Sequence, residues 1–405
     1  MKDKKSVRLD PIHLIAYIML FLTLYKCVSI LVTNGQALRN YIWEFDTSFR
    51  DYVYHVRTAL EPGNVYDKGN GSCFPPLAYL FYKAIASFCR VDNTPLTADK
   101  LSGSTSYLLS LILVEGMTLV VIAMSFKHVL DREKVSGTIT NIIAFMLVAS
   151  NVVLMAVTSG NVAFTVSSLL LIAFIIRESE NKVLRELALI HIAVAASFKI
   201  YPCVMGALYL KERKYKEAIR LIIYGILFFF VPFIFFDGMY GFSMFLKNIT
   251  EVSGIVTGIT IIGIASTIFE HFMSPELALI LAKIIDVVYF LIILLLILTE
   301  NKKTSWKTVL FIGSMMVIVN TESGSYCLSY IFIPFLAFLV EMAKKDDYFF
   351  IDYVYAALFA LFYCMIPIPA LGGSAMMPTI ILYVLIAVAL VDEIKSIVVN
   401  KKLLR

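Results

Sequence analysis

The sequence predicts an all-α integral membrane protein of about 12 transmembrane helices (roughly 10 to 13), a spanning helix taking about 20 apolar residues and several of these spans being shorter. Three observations carry that expectation. Of its 405 residues 60% are hydrophobic and only 16% charged, with a mean hydropathy of +0.83; soluble domains hold about 25% charged residues. Apolar runs of membrane length recur from end to end, separated by short polar linkers. Most of the 35 Lys and Arg fall in one set of those linkers, at residues 1–8, 127–134, 177–185, 211–220, 302–307, 344–345 and 395–405. The positive-inside rule makes these linkers and both termini cytoplasmic. The polar oddities, Asp46, Asp51, Pro75-Pro76, Ser159-Gly160-Asn161, Lys199–Pro202, Asp237 and 320–325, then lie outside.

The first apolar run follows the basic segment 1–8 without a small-residue cleavage site, so it reads as an uncleaved anchor. Predicted spans are 13–33, 103–126, 137–157, 161–177, 184–198, 201–211, 216–237, 275–299, 306–320, 325–343, 348–367 and 376–394. The fifth and sixth are short and read as a pair broken around Lys199 and Pro202. Residues 77–90 are apolar but number only 14. Counting them as a span would invert every later loop, so they are placed at the outer interface, started by Pro75 and Pro76 as favoured first-turn residues. Residues 250–272 are placed on the outer face for the same reason. The first outer loop thus runs over 34–102. Within it Phe49, Tyr52, Val53, Val56 and Leu60 repeat at helical spacing as one apolar stripe, with Asp51, His55 and Thr58 opposite and Pro62-Gly63 as the stop. The whole chain, 1–405, reads as one membrane domain.

The net charge of +5 calls for no nucleic acid, because the basic residues sit in linkers facing anionic headgroups. No nucleotide-binding loop, metal-ligand cluster or hydrolase motif is present, so no metal and no cofactor is expected. Six cysteines show no CxxC pair. The sequons at Asn70 and Asn248 are too common by chance to fix a source. Asp46 and Asp51 fit two roles. A carboxylate at the outer end of the first helix can deprotonate an acceptor hydroxyl, and Ser48-x-x-Asp51 is also a capping-box pattern. Lys199, at the end of an apolar run, can hold a phosphate as a point charge or snorkel to headgroups. Ser159-Gly160-Asn161 reads as a tight turn, and 320–325 as a polar hairpin able to bind sugar hydroxyls. Lys283 and Asp286, at i and i+3, can pair within a span.

Residues 46–86 resemble the first outer loop of the multi-spanning GT-C glycosyltransferases. The branch most similar is the polyprenol-phosphate-mannose-dependent alpha-1,2-mannosyltransferases of actinobacterial envelopes, of the phosphatidylinositol mannoside synthesis type. That branch's Asp-aromatic, Gly-x-x-Tyr and Tyr-Pro-Pro-Leu motifs resemble Asp51-Tyr52, Gly63–Tyr66 and Phe74–Leu77 here. Residues 159–174 are similar to its Gly-Gln-x-Asn-type turn, and 195–218 to its A-x-x-x-K-x-x-P block. The likeness covers roughly 10–240; 241–405 is a variable back half. Phe74 stands for the usual Tyr, and the spacing from Asp51 to Gly63 is short, which keeps Asp46 as a rival base.

The resemblance implies a GT-C-like fold and an inverting hexosyltransferase of the plasma membrane, with its site outside the cell. Its donor would be a polyprenyl-phosphate sugar and its acceptor a glycolipid or glycan. It implies Asp51 or Asp46 as base, Lys199 and Tyr201 at the donor phosphate, and His55, Tyr66, Pro75, Pro76, Asn161, Glu322 and Tyr326 around acceptor or sugar. The competing expectation is a transporter or flippase of a lipid-linked saccharide, which calls for internal repeats and midplane charges. A polymerase or ligase would call for a large arginine-bearing late loop, which the sequence lacks.

Overall fold

A computed structural model of the chain describes residues 10–42, 49–69, 71–91, 103–252, 257–299, 304–319, 323–368 and 375–403. Among them every regular element is helical. The helices are α1 (Pro11–Val32), α2 (Arg50–Leu60), α3 (Pro76–Phe88), α4 (Thr105–Arg132), α5 (Gly137–Val148), α6 (Asn151–Ser159), α7 (Ala163–Ile176) and α8 (Lys182–Phe198). They continue with α9 (Ala207–Lys211), α10 (Tyr215–Phe230), α11 (Met239–Val252), α12 (Ile261–Phe269), α13 (Pro275–Thr299), α14 (Trp306–Ile318), α15 (Phe332–Ala343), α16 (Phe350–Cys364) and α17 (Met376–Leu403).

Six helical stretches are long and apolar enough to cross a bilayer, Pro11–Val32, Thr105–Arg132, Tyr215–Phe236, Pro275–Leu298, Ser325–Ala343 and Met376–Ser396. The pair α5 and α6, bent by 41°, makes a seventh if it counts as one span. The protein is therefore a multi-pass membrane protein. Of the other expected spans, α7, α14 and α16 are apolar helices of 14, 13 and 15 residues, shorter than the ~20 residues of a simple crossing. Residues 201–211 form no continuous helix. They divide into a 3-10 turn, Tyr201–Gly206, and the five-residue α9.

Local chemistry explains these boundaries. Asp10 caps α1, accepting from His13 N at 2.8 Å, and Pro11 starts it, where a missing N–H is harmless. Helix α8 stops at Phe198, where Lys199 turns extended, at φ −143° and ψ 138°, ahead of the 3-10 turn that starts at Tyr201. The break between α5 and α6 is filled from α1. The Lys26 ammonium donates to the Ala149 carbonyl at the end of α5 and, at 3.2 Å, to Asn151 Oδ1. A cation there meets the negative end of the α5 dipole. The Asn151 amide then donates to the Met365 carbonyl beyond α16. Lys26 is buried as a structural cation.

Two expectations about single helices fail. Lys283 is exposed while Asp286 is buried, and no ion pair joins them among the described residues. At i and i+3 they lie on neighbouring faces, but one of those faces points outward and the other into the bundle. The interfacial helix is also not half-exposed. In α2 both His55 and Thr58 are buried along with Tyr52, Val53 and Val56. The helix lies against α3 and the end of α6, so it is covered on both sides.

Candidate functional site

The site is built from three stretches distant in sequence, the start of α2, the turn between α6 and α7, and the extended residue after α8. Phe49, at the N-terminus of α2, holds φ 64°, a left-handed conformation costly for a large side chain. Its N–H donates to the Thr158 carbonyl of α6. Ser48, half of the expected capping box, lies outside the described residues, and Phe49 caps α2 without a side-chain bond. Asp51 is thereby directed to another partner. Asn161 Nδ2 donates to Asp51 Oδ2 at 2.6 Å. Between them, Gly160 holds φ 63° and presses on α2. A Cβ on it would stand 2.8 Å from Tyr52 Cβ. Only glycine meets both demands.

The Gly63–Tyr66 and Phe74–Leu77 motifs act by placing Phe74. Asn64 Nδ2 donates to the Phe236 carbonyl at 3.0 Å and to Asp237 Oδ2 at 2.9 Å. Asn248 Nδ2 donates to the carbonyls of Tyr66 and Ser72 at 2.9 and 3.1 Å. The Asn248 sequon is therefore buried and committed; Asn70 lies outside the described residues. Tyr66 is fully buried among Tyr79, Phe233, Phe236 and Phe245, and its hydroxyl donates to the Phe74 carbonyl at 3.0 Å. The structure thus gives Tyr66 a place in the loop's core rather than at the site. Pro75 caps α3 and Pro76 opens it, fixing the direction in which Phe74 leaves the helix.

Phe74 stacks on His55 with ring centroids 4.1 Å apart, and Tyr82 stacks on His55 at 5.6 Å. Burial pushes the His55 imidazole down to about 3, and the Lys199 charge pushes the same way. His55 is therefore a neutral ring at any physiological pH. Unfolding exposes it and restores a value near 6.5. A depressed folded-state value gives stability that is present above pH 6.5 and lost as pH falls from there toward 3. Between pH 6.5 and 5, where most carboxylates stay ionised, the loss from this group should steepen from about 0.7 toward about 1.4 kcal/mol per pH unit. Thermal melts in detergent should show that slope in the parent and lack it in His55→Phe, which keeps the stacking.

Lys199 is the other charge. It is buried, and its ammonium lies 4.5 Å from the Tyr326 ring centroid, 5.0 Å from Phe74 and 5.5 Å from Tyr201. Among the described residues it makes no hydrogen bond or ion pair. Three ring faces supply cation–π attraction, but they satisfy none of its three N–H donors. Tyr201 is held by its hydroxyl, 3.3 Å from Cys327 Sγ, and by an edge contact to Tyr330. Tyr326 packs its ring against Lys199 and also feels the charge of Asp51. The structure thus gathers Asp51, His55, Asn161, Lys199, Tyr201 and Tyr326 into one cluster, with Pro75 and Pro76 behind it. Asp46 and Glu322 lie outside the described residues. Phe74 and Gly160 complete the cluster. Both stand in the recognised motifs, yet neither is chemically reactive, which is why sequence reasoning gave them no role.

Fold and cluster together define a multi-pass membrane protein with a polar centre assembled from its loops. The model of Glycosyltransferase family 87 matches residues 74–321, more than half of the chain, and the chain belongs to that family. It is a membrane glycosyltransferase, and the transporter alternative is set aside. No curated protein and no solved structure matches the chain. The matched stretch holds Phe74, Asn161 and Lys199; Asp51 and His55 precede it, Tyr326 follows it, and the contacts above tie all three to it.

Proposed function

We propose that the protein transfers a sugar, in the mannosyltransferase-like manner its motifs resemble, from a polyprenyl-phosphate donor to a glycolipid or glycan acceptor. The reaction takes place at the outer face of the plasma membrane, in a GT-C-like fold with about 12 crossings and cytoplasmic termini. The observation that carries this reading is the buried Lys199 ammonium, which lies among three aromatic rings and has no acceptor among the described residues. A buried charge is costly unless paired, and an anion such as the donor phosphate supplies the missing partner. Asp51 takes the proton of an acceptor hydroxyl, as a general base within hydrogen-bond reach does. The hydroxyl oxygen bonds to the anomeric carbon from the face opposite the phosphate. The bond from that carbon to the phosphate oxygen breaks, and its electron pair leaves on the polyprenyl phosphate. Lys199 stabilises the charge that grows there. Asp51 ends protonated, and the anomeric configuration is inverted.

Binding of decaprenyl phosphate to the detergent-purified protein tests the phosphate site. Lys199→Met should weaken it roughly 10- to 100-fold, the worth of a charge-assisted contact. The same change should leave the melting temperature of the lipid-free protein unchanged or raised, because a methionine fits the ring cage without an unpaired charge. Equal affinity in parent and variant would remove Lys199 from the donor site.

A further inference from the structure

We infer that Asn161 is the positioning residue of Asp51, holding one carboxylate oxygen so that the carboxylate stays ionised and in a fixed plane before the acceptor arrives. The inference deepens the proposed reaction and rests on it for the role of Asp51. It assigns Asn161 to the carboxylate rather than to the sugar.

The orientation of the amide follows from its second contact. Asn161 Oδ1 accepts from the Ala163 N–H at 3.1 Å, which opens α7. An N–H can bond only the oxygen end of an amide, so the NH2 end must face Asp51. That end can only donate, and it meets Asp51 Oδ2 at 2.6 Å. A donor aimed at a carboxylate favours the ionised form, the form a general base needs. Asn161 is buried at 3% exposure, and water does not replace it freely. The Phe49 to Thr158 bond and the close approach of Gly160 to Tyr52 hold the two backbones on either side of the pair. The amide thus fixes where Oδ2 points, and a loop adjustment cannot easily restore the geometry.

Asn161→Asp isolates the effect. It keeps the size, and it keeps the oxygen that accepts from Ala163, so a merely structural turn survives. It replaces only the donor, and sets two carboxylates against each other, which then share a proton. Detergent melts of the full-length protein should match the parent near pH 5 and fall below it at pH 7.5. The swapped double variant, Asp51→Asn with Asn161→Asp, restores one amide and one carboxylate and should remove that pH dependence. In membranes supplied with radiolabelled decaprenyl-phosphate mannose, Asn161→Asp should lower kcat at pH 7.5 by roughly 100-fold with KM within about twofold, and move the acid limb of kcat up by at least about one pH unit.

A variant that melts and titrates like the parent, or a swap that restores nothing, overturns the inference. Full activity in Asp51→Asn would instead overturn the proposed base while leaving the melting behaviour of the pair intact. The two failures are therefore distinguishable.

Discussion

Asp51→Asn should all but abolish sugar transfer. In membranes given radiolabelled decaprenyl-phosphate mannose, kcat should fall by roughly 100- to 10,000-fold, the contribution of a positioned general base. The substitution is nearly isosteric, and the new amide oxygen still accepts from Asn161 Nδ2, which stands 2.6 Å from Asp51 Oδ2 in the parent. The melting temperature should therefore hold within a few degrees, which separates lost chemistry from lost fold. Binding of decaprenyl phosphate should also persist, because Lys199 meets its aromatic neighbours without help from Asp51. An Asp51→Asn protein as active as the parent would transfer the role to Asp46, the rival carboxylate of the same loop.

Gly160→Ala should carry a large penalty in stability. The new methyl group must adopt φ 63° and stand 2.8 Å from Tyr52 Cβ, with Phe49 Cα and Tyr52 N each at 3.4 Å. None of these is the flexible end of a side chain. Left-handed strain costs about 1 kcal/mol or more and overpacking adds about 1–3 kcal/mol. Relief comes by moving α2 away from the turn, which separates Asp51 from Asn161. Detergent melts should show a clear drop in the transition and activity should fall with it. Gly225→Ala is the control. A methyl group there meets open space inside α10, and the helix gains from losing a glycine. A Gly160→Ala protein that melts like the parent would mean that α2 does not dock on this turn.

Much of this was legible in the sequence, for local reasons. The stripe of Tyr52, Val53 and Val56 forecast α2, Pro75 and Pro76 forecast the start of α3, and Lys199 with Pro202 forecast the break after α8. What escaped depends on neighbours far along the chain. Periodicity assigned His55 to the face opposite the apolar stripe, but it cannot report that Phe74 and Tyr82 cover that face too. Asn161 read as a turn residue because its partner stands 110 positions away. The tally of crossings is ambiguous for a different reason. Apolar helices of 13 to 15 residues, such as α14 and α16, satisfy a hydropathy pattern without reaching the length of a span.

The docking of Phe49 and Asp51 on the turn at 158–161 also has a temporal consequence. A ribosome emits α2 long before it emits its seat. At about 5–20 residues per second, the 110 positions between Asp51 and Asn161 take roughly 5–20 s to synthesise. For that interval the nascent chain carries Asp51 without its Asn161 contact, and the pair forms only once the later hairpin has been delivered.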